Sequence, residues 1–515
     1  MLNLHTNPEF ANCRKLWVAI FIILFFTYSY CRQKTNVNAI TRTAMVIGIL
    51  DEGSGRIDKY ESVTCDKAYV DGHFYSDKAP GLSLAAMPSM ATAYGVLKIA
   101  GKASFGIDPA TNKPTTAFKL LTLIGTIFTS ALSTAAAAAA LGWLCMRLGC
   151  TRGGAIFASL TFALATPTWG WATSFFGHAM AGSCCLLGFA LTVYMLESNL
   201  HRRAQLAGWI MVGGLLAFSV LVEYTLAVAS IIIGLMILWK AAGKGKNHIA
   251  TALIGLSIGI VPCAILFFAY NYLTFGSLLD FGYKHEVLFP GMNEGYLGIS
   301  LPKLTALWEI LASAKHGILW LSPILILIPL AFWTSLRRRM APSYVSAALI
   351  VVIYFLAMNS SYYYWEGGSS TGPRHITPAL GFACFPLGFL WSVAGKKQKI
   401  LFMCLFALSF FISMACTMVS MNISPNYSYP LFEKLLSDFL IGRFKNVGQF
   451  LGIPPILSLV PLALLWAASV WYIAQGLPRV KTYQVISGKL RLYNHTHVGK
   501  MQHPSRNMRI EQTAN

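Results

Sequence analysis

Residues 117–146 read AFKLLTLIGTIFTSALSTAAAAAALGWLCM, thirty positions with a single charge, Lys119. A helix needs about 20 apolar residues to cross the hydrocarbon of a bilayer. Inside lipid the backbone must satisfy its own hydrogen bonds, so an apolar run of this length is read as a transmembrane helix, with the alanines at 135–140 as part of it. Similar runs recur from Leu16 to Ile473. Composition agrees: of 515 residues, 56% are hydrophobic and 11% charged, against the roughly 25% charged of a soluble domain. Mean hydropathy is +0.57. A chain with so little polar surface cannot cover itself in water, which excludes most soluble classes.

The expected architecture is therefore an all-α, polytopic transmembrane bundle of about twelve crossings: 16–30, 117–146, 153–174, 178–196, 207–222, 225–240, 249–272, 317–336, 343–358, 373–394, 399–421 and 455–475. The first run reads as a retained signal anchor, since no small-residue cleavage site follows it. Segment 81–100 is apolar enough to span. A crossing there would invert every later loop, so it is expected to lie at the outer interface or to re-enter the membrane.

Charge fixes the orientation. The net charge of +21 could suggest a nucleic-acid partner. With the N-terminus inside, however, the cytoplasmic segments hold 22 basic residues against three acidic ones, and the remainder 18 against 16. Positive charge collects in loops that stay in the cytoplasm, so the excess is a topology signal and no nucleic acid is needed. Residues 1–475 then form one transmembrane domain and 476–515 a basic cytoplasmic tail, where solvation near anionic lipid accounts for His495, His497 and His503 better than a metal does. No Cys pair has metal-ligand spacing, and only Cys31 and Cys65, both in the first outer loop, are placed to bridge. Neither a metal nor a cofactor is expected.

Four segments on the outer face are too long to be turns: 31–116, 273–316, 359–372 and 422–454. Binding and chemistry usually sit on such loops. Between Cys31 and Pro80 the first carries seven acids (Asp51, Glu52, Asp58, Glu61, Asp66, Asp71, Asp77) and seven bases (Arg32, Lys34, Arg42, Arg56, Lys59, Lys67, Lys78). Within it Ile40, Ala44, Ile47 and Leu50 recur at helical spacing, which predicts an amphipathic helix along the membrane, ended by Gly53 and Gly55. Ser76 and Asp77 ahead of Pro80 and an apolar run mark a second helix start. The bland alternative for this loop is a solvated face with a helix cap.

The order of a first crossing, a short helix with a central Arg, and the motif Tyr75-Ser76-Asp77-Lys78-Ala79-Pro80-Gly81 resembles the lipid-carrier-dependent glycosyltransferases of GT-C fold. Among these it is closest in pattern to the lipid A aminoarabinose transferases, whose motif reads roughly Y-F-E-K-P-P-L, and to the protein O-mannosyltransferase-like family. By that resemblance Lys78 binds the phosphate of a polyprenyl carrier. A set of GT-C-like bacterial membrane proteins is similar over a longer stretch, at Asn36, Asn38, Ile57, Asp58, Asp66, Lys67, Ala68, Asp71, Gly72, His73 and Tyr75 to Gly81. It is similar again at Trp365-Glu366-Gly367-Gly368 and Gly372-Pro373-Arg374. The chain departs from the pattern at one place: the family's catalytic Asp would fall near Gln33, and Cys31 to Ile40 contains no acid.

Transfer of a sugar from a lipid phosphate needs cations for the departing phosphate and a carboxylate to take or position the acceptor's proton. Lys78, Arg374 and Lys67 are the candidates for the phosphate. Asp58, Asp66 and Asp77 are the candidate catalytic carboxylates. His178, Glu223, Tyr75 and Trp365 are expected to contact substrate, although a lone interfacial His or a capping Glu is also an ordinary structural element. The loop with Asn271, Tyr272, Phe275, Gly276 and Tyr283-Lys284-His285-Glu286 is positioned to serve as a lid. The expected function is transfer of a sugar from a polyprenyl-phosphate donor to an acceptor on the periplasmic face of a bacterial inner membrane, with both termini cytoplasmic. A non-catalytic lipid-binding or assembly protein on the same fold is one rival, which the missing Asp favours. A secondary transporter is the other, but transporters place charge at the midplane in two similar halves, and here it clusters in one outer loop.

Overall fold

The structure is a computed structural model that describes residues 8–102, 104–475 and two short strands, Tyr483–Ile486 and Lys489–Leu492. His495, His497 and His503 lie outside the described residues. The chain is a polytopic helical membrane protein. Its principal helices are α1 (Pro8–Tyr30), α2 (Val37–Glu52), α3 (Gly81–Ile99), α4 (Thr116–Arg147), α5 (Arg152–Leu164), α6 (Gly177–Glu197), α7 (Arg202–Val222), α8 (Leu226–Ala242), α9 (Lys246–Phe275), α10 (Pro323–Arg337), α11 (Pro342–Ser361), α12 (Arg374–Val393), α13 (Lys396–Val419) and α14 (Val460–Gln475). Among the described residues eight of these, α3, α4, α6, α7, α9, α11, α12 and α13, are long and apolar enough to cross a membrane, and shorter apolar helices accompany them.

The breaks follow from the sequence. α5 stops at Leu164, short of the expected 174, because Pro167 cannot continue it, and a separate turn of helix follows at Thr168–Ala172. Pro323 likewise divides the run 317–336, while Pro378 and Pro386 segment α12. α4 is continuous but widens into a π-turn at Ile127–Ala131, where Thr126 and Thr129 donate hydroxyl bonds back to the carbonyls of Thr122 and Gly125. Its alanines do the packing: Ala135, Ala137 and Ala138 are fully buried, Ser159 of α5 donates to the Ala138 carbonyl, and Ser183 of α6 donates to Thr134. Small residues let helix backbones approach where no hydrophobic effect drives them together, and Gly213 of α7 and Gly259 of α9 bring those two helices into backbone contact in the same way.

The first outer loop is folded rather than draped. Asn36 caps α2 by accepting from the Ala39 amide, and Gly53 closes it with φ 66°. The periodicity predicts a helix lying along the membrane with one face free, but Asn38 through Gly48 are all buried. α3, α4 and the turn Asp58–Val63 pack around it. Cys31 and Cys65 are both free thiols, and the Cys31 backbone instead bridges Asn446. After the turn, β1 (Ala68–Val70) and β2 (His73–Tyr75) form a hairpin in the register Ala68↔Tyr75, Tyr69↔Phe74, Val70↔His73, closed by Asp71 and Gly72 at positive φ. α3 then buries one stripe, Leu82, Ala86, Met90 and Tyr94.

Candidate functional site

The hairpin delivers Ser76, Asp77 and Lys78 to the interior. Ala68 at its base is bridged by Glu286 of the 277–303 segment, and Gly282 of that segment lies against the Asp77 backbone, so the outer loop and the expected lid form one wall. Between them the Lys78 ammonium sits 2.7 Å from Asp77 Oδ2 and 3.3 Å from Asp66 Oδ1. The Tyr283 ring lies 5.6 Å below it. Asp66 and Asp77 are buried, and the Lys78 side chain is 13% exposed.

A lysine taken from water prefers to lose its charge, but Asp66 and Asp77 outweigh burial and hold this ammonium well above its ordinary value. Burial pushes the Asp77 carboxyl up to about 7 against the pull of Lys78, with Asp66 adding to the rise. Asp77 Oδ1 is buried and has no hydrogen-bond partner. A carboxyl poised near neutrality with a free oxygen has the properties of a general acid or base.

One residue further, the Ala79 carbonyl accepts from Arg42 Nη1 at 3.0 Å. Arg42 is 1% exposed and spends its whole fork on the protein: Nε donates to Asn38 Oδ1 at 3.0 Å and Nη2 reaches Glu223 Oε1 at 3.1 Å. Glu223 occupies the break between α7 and α8, where Leu226 begins the next helix. Two glycines make room for this junction. A Cβ on Gly81 would lie 2.6 Å from the Leu221 carbonyl and the Val222 nitrogen, so the start of α3 touches the end of α7 backbone to backbone. A Cβ on Gly177 would overlap Glu223 Oε1 and lie 2.8 Å from its Cδ, so the first residue of α6 must be glycine for the carboxylate to enter.

His178, next to that glycine, has Nδ1 3.9 Å from Glu223 Oε1. Its ring meets His375 at 5.1 Å, and His375 in turn meets Tyr362 at 5.3 Å. Arg374 lies over the Phe176 ring at 5.4 Å, and its Nε is buried without a partner. The Glu223 carboxyl is raised by burial and lowered by three cations, Arg42, Lys78 and Arg374. Lys78 and Arg374, two of the three predicted phosphate ligands, are among these cations.

The residues expected from sequence separate into two groups. Lys78, Asp66, Asp77, Glu223, His178 and Arg374 gather in this buried region. Lys67, Asp58, Tyr75 and Trp365 do not share its contacts. The Lys67 ammonium is held by Glu61 Oε2 at 2.6 Å and lies over the Phe74 ring. Asp58, partly exposed, accepts from the Phe74 amide at 2.6 Å and pairs with His73 Nδ1 at 2.8 Å, stapling the hairpin. Tyr75 packs on Phe275, and Trp365 on His316. Gln33, where the family pattern has an acid, is used up in structure: its Oε1 accepts from the Met421 amide at 3.0 Å and its Nε2 donates to Thr173 and to the Thr417 carbonyl. It lines a solvent-open cleft of about 360 Å³ together with Arg32, Lys34, Asn36, Lys119 and Phe176. Sequence reasoning gave His375 and Tyr362 no role, and placed Asn38 only in the wider pattern and Tyr283 only in the lid. The adjacency of His375 to Arg374 was the one available signal. Among the described residues no group of three His, Cys, Asp or Glu could hold a metal ion.

No protein-family model matches the chain, and no curated protein matches it significantly. Among solved structures it is similar to ArnT from Cupriavidus metallidurans in the apo state, with 13% identity, a TM-score of 0.48 and coverage of 89% of this chain and 74% of that one. It is similar to the same protein bound to undecaprenyl phosphate at 12% identity and a TM-score of 0.47, covering 90% and 70%. The Archaeoglobus fulgidus oligosaccharyltransferase in the apo form matches at 11% identity and a TM-score of 0.44 over 80% of this chain and 56% of that one.

Proposed function

We propose that this protein is an integral membrane glycosyltransferase of the GT-C type that moves a sugar from a polyprenyl-phosphate donor to an acceptor on the outer face of a bacterial inner membrane. The observation that carries the reading is Lys78, largely enclosed in the motif that bears the resemblance with its ammonium 2.7 Å from Asp77 and 3.3 Å from Asp66, together with the buried, unpartnered Nε of Arg374. In this reading the carrier phosphate sits between Lys78 and Arg374, with its isoprenoid tail in the membrane. Lys67, occupied by Glu61, braces the hairpin.

The chemistry follows from the electrostatics. An acceptor oxygen attacks the anomeric carbon, the bond from that carbon to the phosphate oxygen breaks, and the carrier phosphate departs with the electron pair. Asp77 takes the acceptor's proton. Once neutral it releases its grip on the Lys78 ammonium, 2.7 Å away, so the cation becomes free to stabilise the phosphate as that group gains charge. Asp66 remains ionised and keeps Lys78 in place. Asp58 belongs to the hairpin and is not needed for the step.

Purified protein reconstituted in liposomes with a set of polyprenyl-phosphate sugars tests the reading. Donor consumption should require Lys78 and Arg374, with Lys78→Ala and Arg374→Ala each lowering turnover by at least about 100-fold, the effect of removing one transition-state donor. Wild-type protein that neither binds nor consumes any such donor would refute it. Tight binding without turnover would favour the non-catalytic lipid-binding reading, to which the fully engaged Gln33 also points.

A further inference from the structure

A second cationic group lies at the same end of the bundle, away from Lys78. The chain leaving α1 pairs through Cys31 with Asn446 in an antiparallel bridge. The next residues on the two strands, Arg32 and Lys445, therefore stand opposite each other. Like charges directly opposed in this way repel and are destabilising. Lys34 follows two residues on, in the wall of the 360 Å³ cleft that Arg32 also lines. The one nearby acid is already spoken for: Asp438 is paired with Lys434 and lies 3.7 Å from Arg443. Among the described residues Arg32, Lys34 and Lys445 have no carboxylate within ion-pair distance. Lys445, an exposed side chain, is nonetheless pushed below its ordinary value by partial loss of solvent and then by Lys34, Arg32 and Lys434, against the pull of Asp438.

The same segment carries an apolar ridge. Between α13 and α14 it caps the ends of α1, α13 and α14: the Lys445 amide donates to the Met418 carbonyl, and Tyr30 donates to the Ser458 carbonyl. Its own large side chains face outward, with Leu440 74%, Leu451 71% and Ile456 79% exposed. Phe450 joins the two features, because it is half exposed and its ring lies 4.6 Å under the Arg32 guanidinium. An unpaired cation group beside an exposed apolar ridge, at the end of a transmembrane bundle, matches an anionic amphiphile with its head on the cations and its chains along the ridge.

We propose that Arg32, Lys34 and Lys445, with the ridge of Phe450, Leu451 and Ile456, form a docking site for a membrane lipid with a phosphate-bearing anionic head group. The site uses none of the residues assigned to the transfer reaction proposed above, although the cleft wall includes Phe176, on which Arg374 lies. An acidic lipid there supplies the counter-charge that the fold omits and anchors the 422–459 segment to the leaflet.

The test uses the full-length protein in nanodiscs of phosphatidylcholine doped with phosphatidylglycerol, measuring the lipid retained after extraction into neutral detergent. Phosphatidylglycerol should be retained over phosphatidylcholine by on the order of a hundredfold, since each of the three basic residues near an anionic surface is worth about 1 kcal/mol, or about fivefold. Arg32→Gln with Lys445→Gln should cut that preference about 25-fold, and Lys34→Gln, at an exposed position where folding is not at risk, should weaken it about fivefold. Arg443→Gln, whose partner is Asp438, should leave it unchanged. Equal retention of both lipids, or a preference undiminished in Lys34→Gln and in the double variant, would overturn the proposal. Displacement by millimolar glycerol phosphate as effective as by phosphatidylglycerol would overturn the amphiphile assignment, because the head group alone would then account for binding.

Discussion

The Arg42–Glu223 pair offers the most direct check on how the Lys78 loop is held. Both side chains are buried, 2% and 8% exposed, and the 3.1 Å contact is the carboxylate's single ion pair with an arginine. Glu223→Ala leaves Arg42 with its bonds to Asn38 and to the Ala79 carbonyl but with an uncompensated buried charge. Removing one partner of a buried pair costs about 3–5 kcal/mol. A chain of this length changes entropy on unfolding by roughly 1 kcal/mol per degree, at about 2 cal/mol/K per residue, so the melting temperature should fall by roughly 3–5 °C. Replacing both partners with apolar residues of similar size, Arg42→Met with Glu223→Leu, removes the stranded charge and should recover most of the loss, to within about 1 kcal/mol of wild type. Thermal unfolding in mild detergent, followed by tryptophan fluorescence, reads both. If the double variant is as unstable as Glu223→Ala, the loss comes from packing and the electrostatic account of this junction is wrong.

Three further outcomes follow. Gly177→Ala, which forces a methyl group into Glu223, should destabilise by about 1–3 kcal/mol as an overpacked site, and the penalty should largely vanish in a Glu223→Ala background; additivity of the two would refute the steric reading. Asp77, raised to about 7 from an ordinary value near 4, binds a proton in the folded state that the unfolded chain has lost. Its contribution is thus fully present below about pH 4 and is lost as pH rises to about 7. Wild type should lose stability relative to Asp77→Asn across that window, and parallel curves would show that the carboxyl is not raised. Asp58→Asn, at the partly exposed hairpin staple, should change donor turnover less than fivefold while Asp77→Asn lowers it by at least about 100-fold; equal effects would move the carboxylate role back to Asp58.

Long-range features of the fold were readable where a single physical rule governs them. Apolar length gave the long helices, but among the described residues only part of the twelve expected crossings are long enough to span, and α3, expected at the interface, is among the eight helices that are. The breaks at Pro167, Pro323 and Pro386 follow from proline but were not anticipated. Gly53 was expected to end α2 and does so at positive φ, whereas the Asn36 cap at its start was not singled out. The enclosure of α2 was not readable, because its residues 38–48 carry the same 3.6 periodicity whether three neighbours cover it or one. The site was legible in part for a related reason. The contact between Lys78 and Asp77 is local, and the gathering of Lys78 with Arg374 was anticipated from phosphate chemistry. The links from Arg42 to Glu223 and from Glu223 to Gly177 span 181 and 46 positions and depend on how α3, α6 and α7 close together. Lys67 and Asp58 illustrate the converse: charge type and position suited them to the reaction, but each is paired within the hairpin region, with Glu61 six positions and His73 fifteen positions away.

The fit of Gly177 against Glu223 has a consequence for inheritance. No side chain can be added at position 177 while the acid at 223 points inward, and an acid arriving at 223 finds space only beneath a glycine. The two positions are therefore expected to mutate in step across descendants of this gene, each change tolerated mainly after the other. A lineage that has lost the glycine should have lost the acid, and with it the need for arginine at 42, so the three positions together form a heritable mark of this junction that no single position provides.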